Sequence, residues 1–301
     1  MDKIDKVAVI CGGSSPERDI SLQSGEGVFK ALIDLGYDAC LIDFNDLNSI
    51  DELNSYDFTF IALHGFEGEG GDLQKKLDEV GISYTGSGPH ACKNTWDKSL
   101  CKKILSDNNV NTPNWKIYNS LLSIERNLIT DKNLSTSFLK PCSDGSSVDI
   151  YKIKSSDDFH DAIKNSTYPD RPFILEECID GKEFTVTVIN EKCYPVIEIL
   201  TENEFYDYDA KYISDTTKLV KADLSSEEIV SIQKMALDAY KALDCNGWAR
   251  VDILQDDFGV FYVLEINTVP GMTSHSCVPK SGSFLGMEYK EVVQKIIDAS
   301  F

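Results

Sequence analysis

Lys6 to Cys11 (KVAVIC) is an almost unbroken apolar run, the pattern of a strand buried on both faces. A Gly12-Gly13-Ser14-Ser15 turn separates it from a helical pattern that places Leu22, Val28, Phe29, Leu32 and Ile33 on one face. Residues 38–44 and 58–63 read as two more strands, and a helix starts at Asp72 after the glycine-dense stretch 65–71. This alternation makes residues 1 to about 95 a parallel α/β unit. Thr95-Trp96-Asp97 opens another helix, with Leu100, Ile104 and Leu105 as its apolar stripe. Further on, 138–141, 173–179 and 183–189 read as strands and 225–243 as a helix, while the polar stretch 207–224 shows no clear period.

The clearest pattern lies near the C-terminal end. Two apolar, β-branched and aromatic runs, 248–254 and 260–266, flank an Asp-Asp-Phe-Gly turn and predict a β-hairpin. Alternate strand residues share a face, so Arg250 and Asp252 point one way on the first strand, and Glu265 and Asn267 point one way on the second. Val251, Tyr262, Leu264 and Ile266 then fall on the core side. If the charged rows share a face, they lie roughly 5–8 Å apart. Two carboxylates and an amide oxygen at that spacing suit a hard cation such as Mg²⁺. A neighbouring arginine can neutralise charge on a transferring phosphoryl or acyl group. A solvated hairpin face is the competing reading. Against it stands the next segment, Thr268-Val-Pro-Gly-Met-Thr-Ser-His-Ser276, a loop of small and polar residues suited to holding a carboxylate.

Composition narrows the classes. A 301-residue chain with 42% apolar residues suits two or three joined domains with real cores. No run of 18 apolar residues and no basic-then-apolar N-terminus occurs, so neither a membrane span nor a signal peptide is expected. Nine scattered cysteines without a C-x-x-C pair point to a reducing cytoplasm rather than to a disulfide framework. The net charge of −21 argues against nucleic-acid and anionic-membrane partners. A nucleotide would have to be held by a few local cations, which singles out lysines in loops.

Four positions stand out as candidate site residues. Glu17 follows the first strand, at the end where open α/β sheets bind ligands, although a capping role fits equally. His64 ends another strand, as a structural hydrogen-bonding residue or a site residue. Lys98 occupies a first helical turn, where the dipole disfavours a cation, so either solvent or a phosphate must answer it. Lys140 precedes the loop Cys-Ser-Asp-Gly145-Ser146-Ser147-Val148, which can offer N–H groups and hydroxyls to phosphates or serve as a flexible turn. The Walker order and the G-x-G-x-x-G fingerprint are both absent. Strand 173–179 can pair its backbone with an adenine edge, and Glu183 can accept from ribose hydroxyls.

Taken together, GGSSPERDIS, LHG, YTGSG, DK, LKP…GSSV, EEC…GKEFTV, YDYDAKYISD and RVD…LEINTVPGMTSHS resemble, in order and over essentially the whole chain, the D-alanine–D-alanine ligases of the ATP-grasp superfamily. The resemblance implies a three-domain α/β ATP-grasp architecture: residues 1–96 on the first D-alanine side, 97–179 as the central ATP-grasp subdomain, and 180–301 with the metal and second D-alanine sites. It implies that Lys98, Lys140 and, from a mobile loop, Lys211 contact ATP phosphates, and that Glu176, Glu177, Cys178, Ile179 and Glu183 hold adenosine. Asp252, Glu265 and Asn267 would bind two Mg²⁺ ions, with Mn²⁺ able to substitute. Glu17 would anchor the first D-alanine in a network with Ser146 and Tyr212, near His64. Arg250 and the Gly271 backbone would stabilise the oxyanion, and Ser276 would meet the second carboxylate.

The implied activity is ATP-dependent formation of D-alanyl-D-alanine for peptidoglycan precursors, in a cytoplasmic homodimer with no nucleic-acid or membrane partner. Three departures from the family pattern stand out: Glu69-Gly70 replaces an acidic pair, Asp149 stands where glycine is usual, and Glu177 where lysine is common. Competing readings are a relative taking D-lactate or D-serine second, a nucleotide-binding regulator without turnover, and, from the first strand–turn–helix alone, a nicotinamide oxidoreductase.

Overall fold

A computed structural model describes residues 4–124, 135–145, 148–201 and 216–301. The first apolar run forms β1 (Lys6–Cys11), α1 (Arg18–Asp34) returns beside it, and β2 (Asp38–Asp43) and β3 (Phe58–Ile61) flank it in parallel. Every β1 residue after Lys6 is buried, as coverage of both faces requires. Then come α2 (Phe66–Glu69), α3 (Asp72–Val80) and α4 (Pro89–Trp96). The helix expected from Thr95 starts later, as α5 (Lys98–Asp107). Asp97 leaves the helical path in an extended conformation, and its carboxylate accepts from the Ser99 and Leu100 N–H groups at 2.9 and 3.1 Å. That is an N-cap separating two abutting helices.

The middle of the chain builds β4 (Trp115–Tyr118), β5 (Ser137–Pro141), β6 (Tyr151–Ile153), α6 (Ser156–Asn165) and β7 (Phe173–Glu177). Its strands form an antiparallel sheet ordered β4-β7-β5-β6, with a core of its own around Tyr118, Leu139, Phe159 and Phe173.

The remainder gives β8 (Gly181–Ile189), β9 (Lys192–Cys193), β10 (Ile197–Leu200), β11 (Lys218–Lys221), α7 (Ser226–Ala242), β12 (Trp248–Asp256), β13 (Phe261–Asn267), α8 (Cys277–Ser283) and α9 (Tyr289–Asp298). The described strands form a sheet ordered β11-β10-β8-β12-β13, with β9 beside β8. β11 corrects the aperiodic reading of 207–224: four residues are too few to show alternation, yet they pair antiparallel with β10. α7 starts at a capping box between Ser225 and Glu228. Among the described residues, no helix is long and apolar enough to cross a membrane.

The predicted hairpin is β12–β13, with Arg250 opposite Asn267 and Asp252 opposite Glu265. One feature of it escaped the alternation rule. Pairing jumps from Asp252–Glu265 to Ile253–Val263, so Leu264 is an extra, bulged residue. Beyond the bulge the faces of β13 exchange. Val263 and Phe261 enter the core, while Tyr262 and Leu264, expected inside, are only half-buried.

Candidate active site

The site is a cleft bounded by widely separated parts of the chain. One end is lined by Glu17, His64, Glu69, Lys98, Lys140, Gly145, Arg250, Glu265, Asn267 and Gly271. The other is lined by Glu176, Glu177, Cys178, Ile179, Glu183 and Asp252, again with Lys98, Lys140 and Glu265.

At the first end, Gly12 and Gly13 turn with φ of +79° and +74°, a region open to glycine at little cost. Asp43 fixes the turn: it accepts from the Gly13 N–H at 3.3 Å and pairs with Arg18 at 2.5 Å, while Arg18 also donates to the Gly13 carbonyl. The Arg18 guanidinium holds the Asp43 carboxyl down at about 2. This turn delivers Glu17, which is 9% exposed, to the start of α1. Its N–H donates to the Ser15 hydroxyl, and Ser15 donates to the His64 carbonyl.

His64 uses both ring nitrogens internally. Nδ1 lies 3.0 Å from the Val269 carbonyl and Nε2 3.3 Å from the Ser24 hydroxyl. A carbonyl only accepts, so Nδ1 carries the proton. Ser24 Oγ, which accepts from the Met272 N–H, then donates to Nε2. Burial pushes the His64 pKa down, in keeping with a neutral ring. His64 is thus a brace between the end of β3 and the 268–276 loop. Tyr289 completes the bracing with a 2.6 Å bond to the Met272 carbonyl.

Glu69 joins this end of the cleft. It accepts from the Gly65 N–H at 2.9 Å, and burial, reinforced by the nearby Glu17 charge, pushes its pKa up to about 8. In the 268–276 loop, the Ser276 hydroxyl accepts from the Thr273 N–H at 3.0 Å and packs against Gly271, where a Cβ would lie 2.9 Å from it. Gly271 lines the cleft, and Ser276 stands just behind it.

The hairpin supplies the cleft's middle. Arg250 grips Asp252 through Nε and a terminal nitrogen at 2.9 and 2.8 Å, a two-point fork. Asp252 also accepts from Thr185 of β8 at 2.6 Å and from the Asn267 amide at 3.1 Å. Two carboxylates and an amide are hard oxygen donors of the kind Mg²⁺ takes. Among the described residues no group of three or more His, Cys, Asp or Glu side chains is placed to hold a metal ion. The fit of Asp252, Glu265 and Asn267 to Mg²⁺ rests on their hard oxygen donors, and binding would require Asp252 to exchange part of its hydrogen bonding for the ion.

Lys140 is placed by β5 of the central sheet, and Lys98 and Lys102 by α5, whose Cys101 and Leu105 join the core of the C-terminal sheet. Lys98, in the first turn of α5, answers the unfavourable dipole by donating to the Asp144 carbonyl at 2.5 Å. Lys140 reaches Glu176 at 3.1 Å, and Glu176 meets Lys102 at 2.8 Å. Glu176 is 2% exposed and Lys102 1%, so this is a buried two-cation, one-anion group. Burial opposes the Glu176 charge, but the two ammonium groups outweigh it and hold its pKa low. Burial also lowers the Lys102 pKa. Next to it, Glu177 accepts from the Asn114 amide, and the Glu177 and Cys178 N–H groups bond to the Asn114 and Thr136 carbonyls.

Of the residues singled out in the sequence, Ser146, Lys211 and Tyr212 lie outside the described residues; the others line this cleft, except Ser276 behind Gly271. Sequence reasoning missed Lys102, Thr185 and the placement of Glu69. The spacing of Lys98 and Lys102 by one helical turn was the available signal for Lys102.

A family model described as D-ala D-ala ligase C-terminus matches residues 110–298. A D-alanine–D-alanine ligase of Marinomonas sp. (strain MWYL1) is 41% identical over 299 residues, covering 96% of this chain and 94% of the relative. The crystal structure of a D-alanine–D-alanine ligase from Bacillus anthracis, complexed with ATP, matches with a TM-score of 0.85 at 30% identity, over 98% of this chain and 97% of that one. A D-Ala:D-Ser ligase from Enterococcus faecalis matches with a TM-score of 0.84 at 27% identity, over 99% and 100%. With similarity running through every segment that contributes to the cleft, the chain belongs to the D-alanine–D-alanine ligase family.

Proposed function

We propose that the protein joins two D-alanine molecules into D-alanyl-D-alanine at the expense of ATP, releasing ADP and phosphate, as a step toward peptidoglycan precursors in the cytoplasm. The observation that carries this reading is the continuity of the cleft. Its substrate end, with Glu17, Arg250 and Gly271, and its nucleotide end, with Glu176 to Ile179 and Glu183, share Lys98, Lys140 and Glu265.

A carboxylate is a poor acyl donor because its leaving group would be oxide. Transfer of the γ-phosphoryl group to the first D-alanine makes an acyl phosphate, and attack by the second amine then expels phosphate. Glu17 anchors the first D-alanine. Lys98 and Lys140 carry positive charge to the phosphates, Lys140 being oriented by Glu176. Arg250 and the Gly271 N–H stabilise the tetrahedral oxyanion, and Ser276 serves the second carboxylate after turning from its bond to Thr273. Asp252, Glu265 and Asn267 would hold Mg²⁺, or Mn²⁺ in its place, whose charge would offset that of the phosphates. Ser146, Tyr212 and Lys211 belong to the same reading as partners of Glu17 and the phosphates, and the acting form is a homodimer.

The test is phosphate release from Mg·ATP with D-alanine, L-alanine, D-alanine plus D-lactate, D-alanine plus D-serine, or no amino acid, with product masses read in parallel. D-alanine-dependent release with the D-Ala–D-Ala mass is expected. Release that yields only the mixed product would move the second-site specificity. Bound ATP without release under any condition would mean a regulator rather than an enzyme.

A further inference from the structure

Asp144 and Asp149 present an electrostatic problem. Asp144 lines the cleft with Lys98 and Lys140, where the ligase reading places phosphates, and Asp149 stands between the cleft-lining Val148 and Ile150. One residue answers both. Arg171, just before β7, pairs one terminal nitrogen with Asp144 and the other with Asp149, the latter at 2.6 Å. Its guanidinium lies 5.7 Å from the Tyr168 ring centre and 5.6 Å from that of Phe173, so aromatic faces fix it as well.

Asp149 has φ of +56°, a left-handed conformation uncommon for residues with a side chain although aspartate tolerates it better than most. Its carboxylate also accepts from Tyr151 and Ser166, each at 3.0 Å. At the other end, the Asp144 carbonyl receives Lys98. The adjacent Gly145 runs so close to Glu17 that a Cβ there would lie 3.3 Å from the Glu17 carboxylate. The grip on Asp144 therefore bears on both the phosphate lysine and the first substrate's anchor.

We infer that Arg171 is a positioning residue for the phosphate end of the nucleotide site: it ties Asp144 to Asp149 and cancels carboxylate charge that would otherwise repel ATP. The inference rests on the ligase reading for what occupies the cleft. At a separation on the order of 10 Å, an unmasked carboxylate would weaken phosphate binding roughly 2- to 20-fold, between the dielectric of water and that of a protein surface. Arginine's planar fork serves two carboxylates at once, which a lysine cannot match.

The full-length protein and its Arg171→Met, Arg171→Lys and Arg171→Met/Asp149→Gly variants decide the matter through KM for ATP, kcat, calorimetric Mg·ATP affinity and thermal midpoint. In Arg171→Met, KM for ATP is expected to rise about tenfold with kcat within about twofold, and the defect to shrink with added salt. Arg171→Lys should fall between, and removing the Asp149 carboxylate in the double variant should recover part of the loss. Should Arg171→Met fail to fold, the lysine variant carries the test through the same rise. Unchanged KM and ATP affinity in a folded variant, or loss of kcat and midpoint alone, would overturn the inference. If the unaltered protein binds ATP but releases no phosphate with D-alanine, the ligase reading fails instead. The calorimetric difference between unaltered and Arg171→Met protein still decides the role of Arg171.

Discussion

The loss of water that keeps the His64 ring neutral also keeps a proton on Glu69, because desolvation disfavours whichever form is charged. For Glu69 this has a measurable sign. Its folded pKa lies near 8, above the ordinary 4.5, so between those values the folded state binds more protons than the unfolded one. The contribution of Glu69 to stability is complete below pH 4.5 and is lost as pH rises toward 8, by up to about 1.4 kcal/mol for each pH unit. Glu69→Gln should remove that slope and gain relative stability at pH 8. Urea unfolding across the window checks it, and an unchanged slope would exclude Glu69 as its source. Arg250 makes a different prediction. Its fork satisfies a nearly buried Asp252, so Arg250→Ala removes a counter-charge and, on the proposed reading, an oxyanion donor. Turnover should fall about 100- to 1000-fold while ATP affinity changes by less than about threefold. Near-normal turnover in a folded Arg250→Ala protein would take Arg250 out of the chemistry.

Among the elements, α5 shows how a cap serves a site. Asp97 holds the first turn through two N–H groups, and the residue it places next is Lys98. Asp97→Ala should cost about 1 kcal/mol of stability and raise KM for ATP, whereas Asp97→Asn, still able to cap, should restore both. A stability loss with KM unchanged would mean that Lys98 finds its place without the cap. The same helix shows where sequence reading ended. Its apolar stripe was expected at Leu100, Ile104 and Leu105, but the buried positions are Cys101, Lys102 and Leu105. A lysine reads as solvent-facing in any periodicity, and its burial is made tolerable by Glu176, far along the chain, and by the Thr112 hydroxyl, which accepts from it at 2.7 Å. The hairpin was legible because a period of two carries its own geometry: Arg250, Asp252, Glu265 and Asn267 share a face as expected. The bulge at Leu264 was not, since no glycine or proline marks it and its effect appears only in pairing with β12. The convergence of Glu17, Glu69 and Gly271 on one cleft is likewise invisible to spacing, because it depends on how separate sheets meet.

Across the whole molecule, the distribution of cores predicts how it comes apart. Val7 of β1 and Phe60 of β3 share a core with Trp248, Val278, Val292 and Ile296, so the first and last parts of the chain bury one another. Trp248 sits at this joint, 1% exposed and with its ring centre 6.1 Å from that of Phe60. Beside it, Asn246 and Ser87 exchange hydrogen bonds at 3.0 and 3.2 Å, and Gly247 lies so close to Gly86 that a Cβ would fall 2.9 Å from its backbone. The central sheet, in contrast, has its own core around Phe159 and Phe173. Trp248→Ala should therefore cost about 3–5 kcal/mol, a large share of a typical domain's stability, but not evenly through the chain. Amide exchange should accelerate together in β1, β3 and α9, while β5 and β7 keep their protection. If β5 and β7 lose protection in step with β1, the central unit is not an independent cooperative block. Retained protection would mean that Lys140 of the central sheet and the carboxylates of the hairpin are carried on separately stable bodies, with the cleft as the place where those bodies meet.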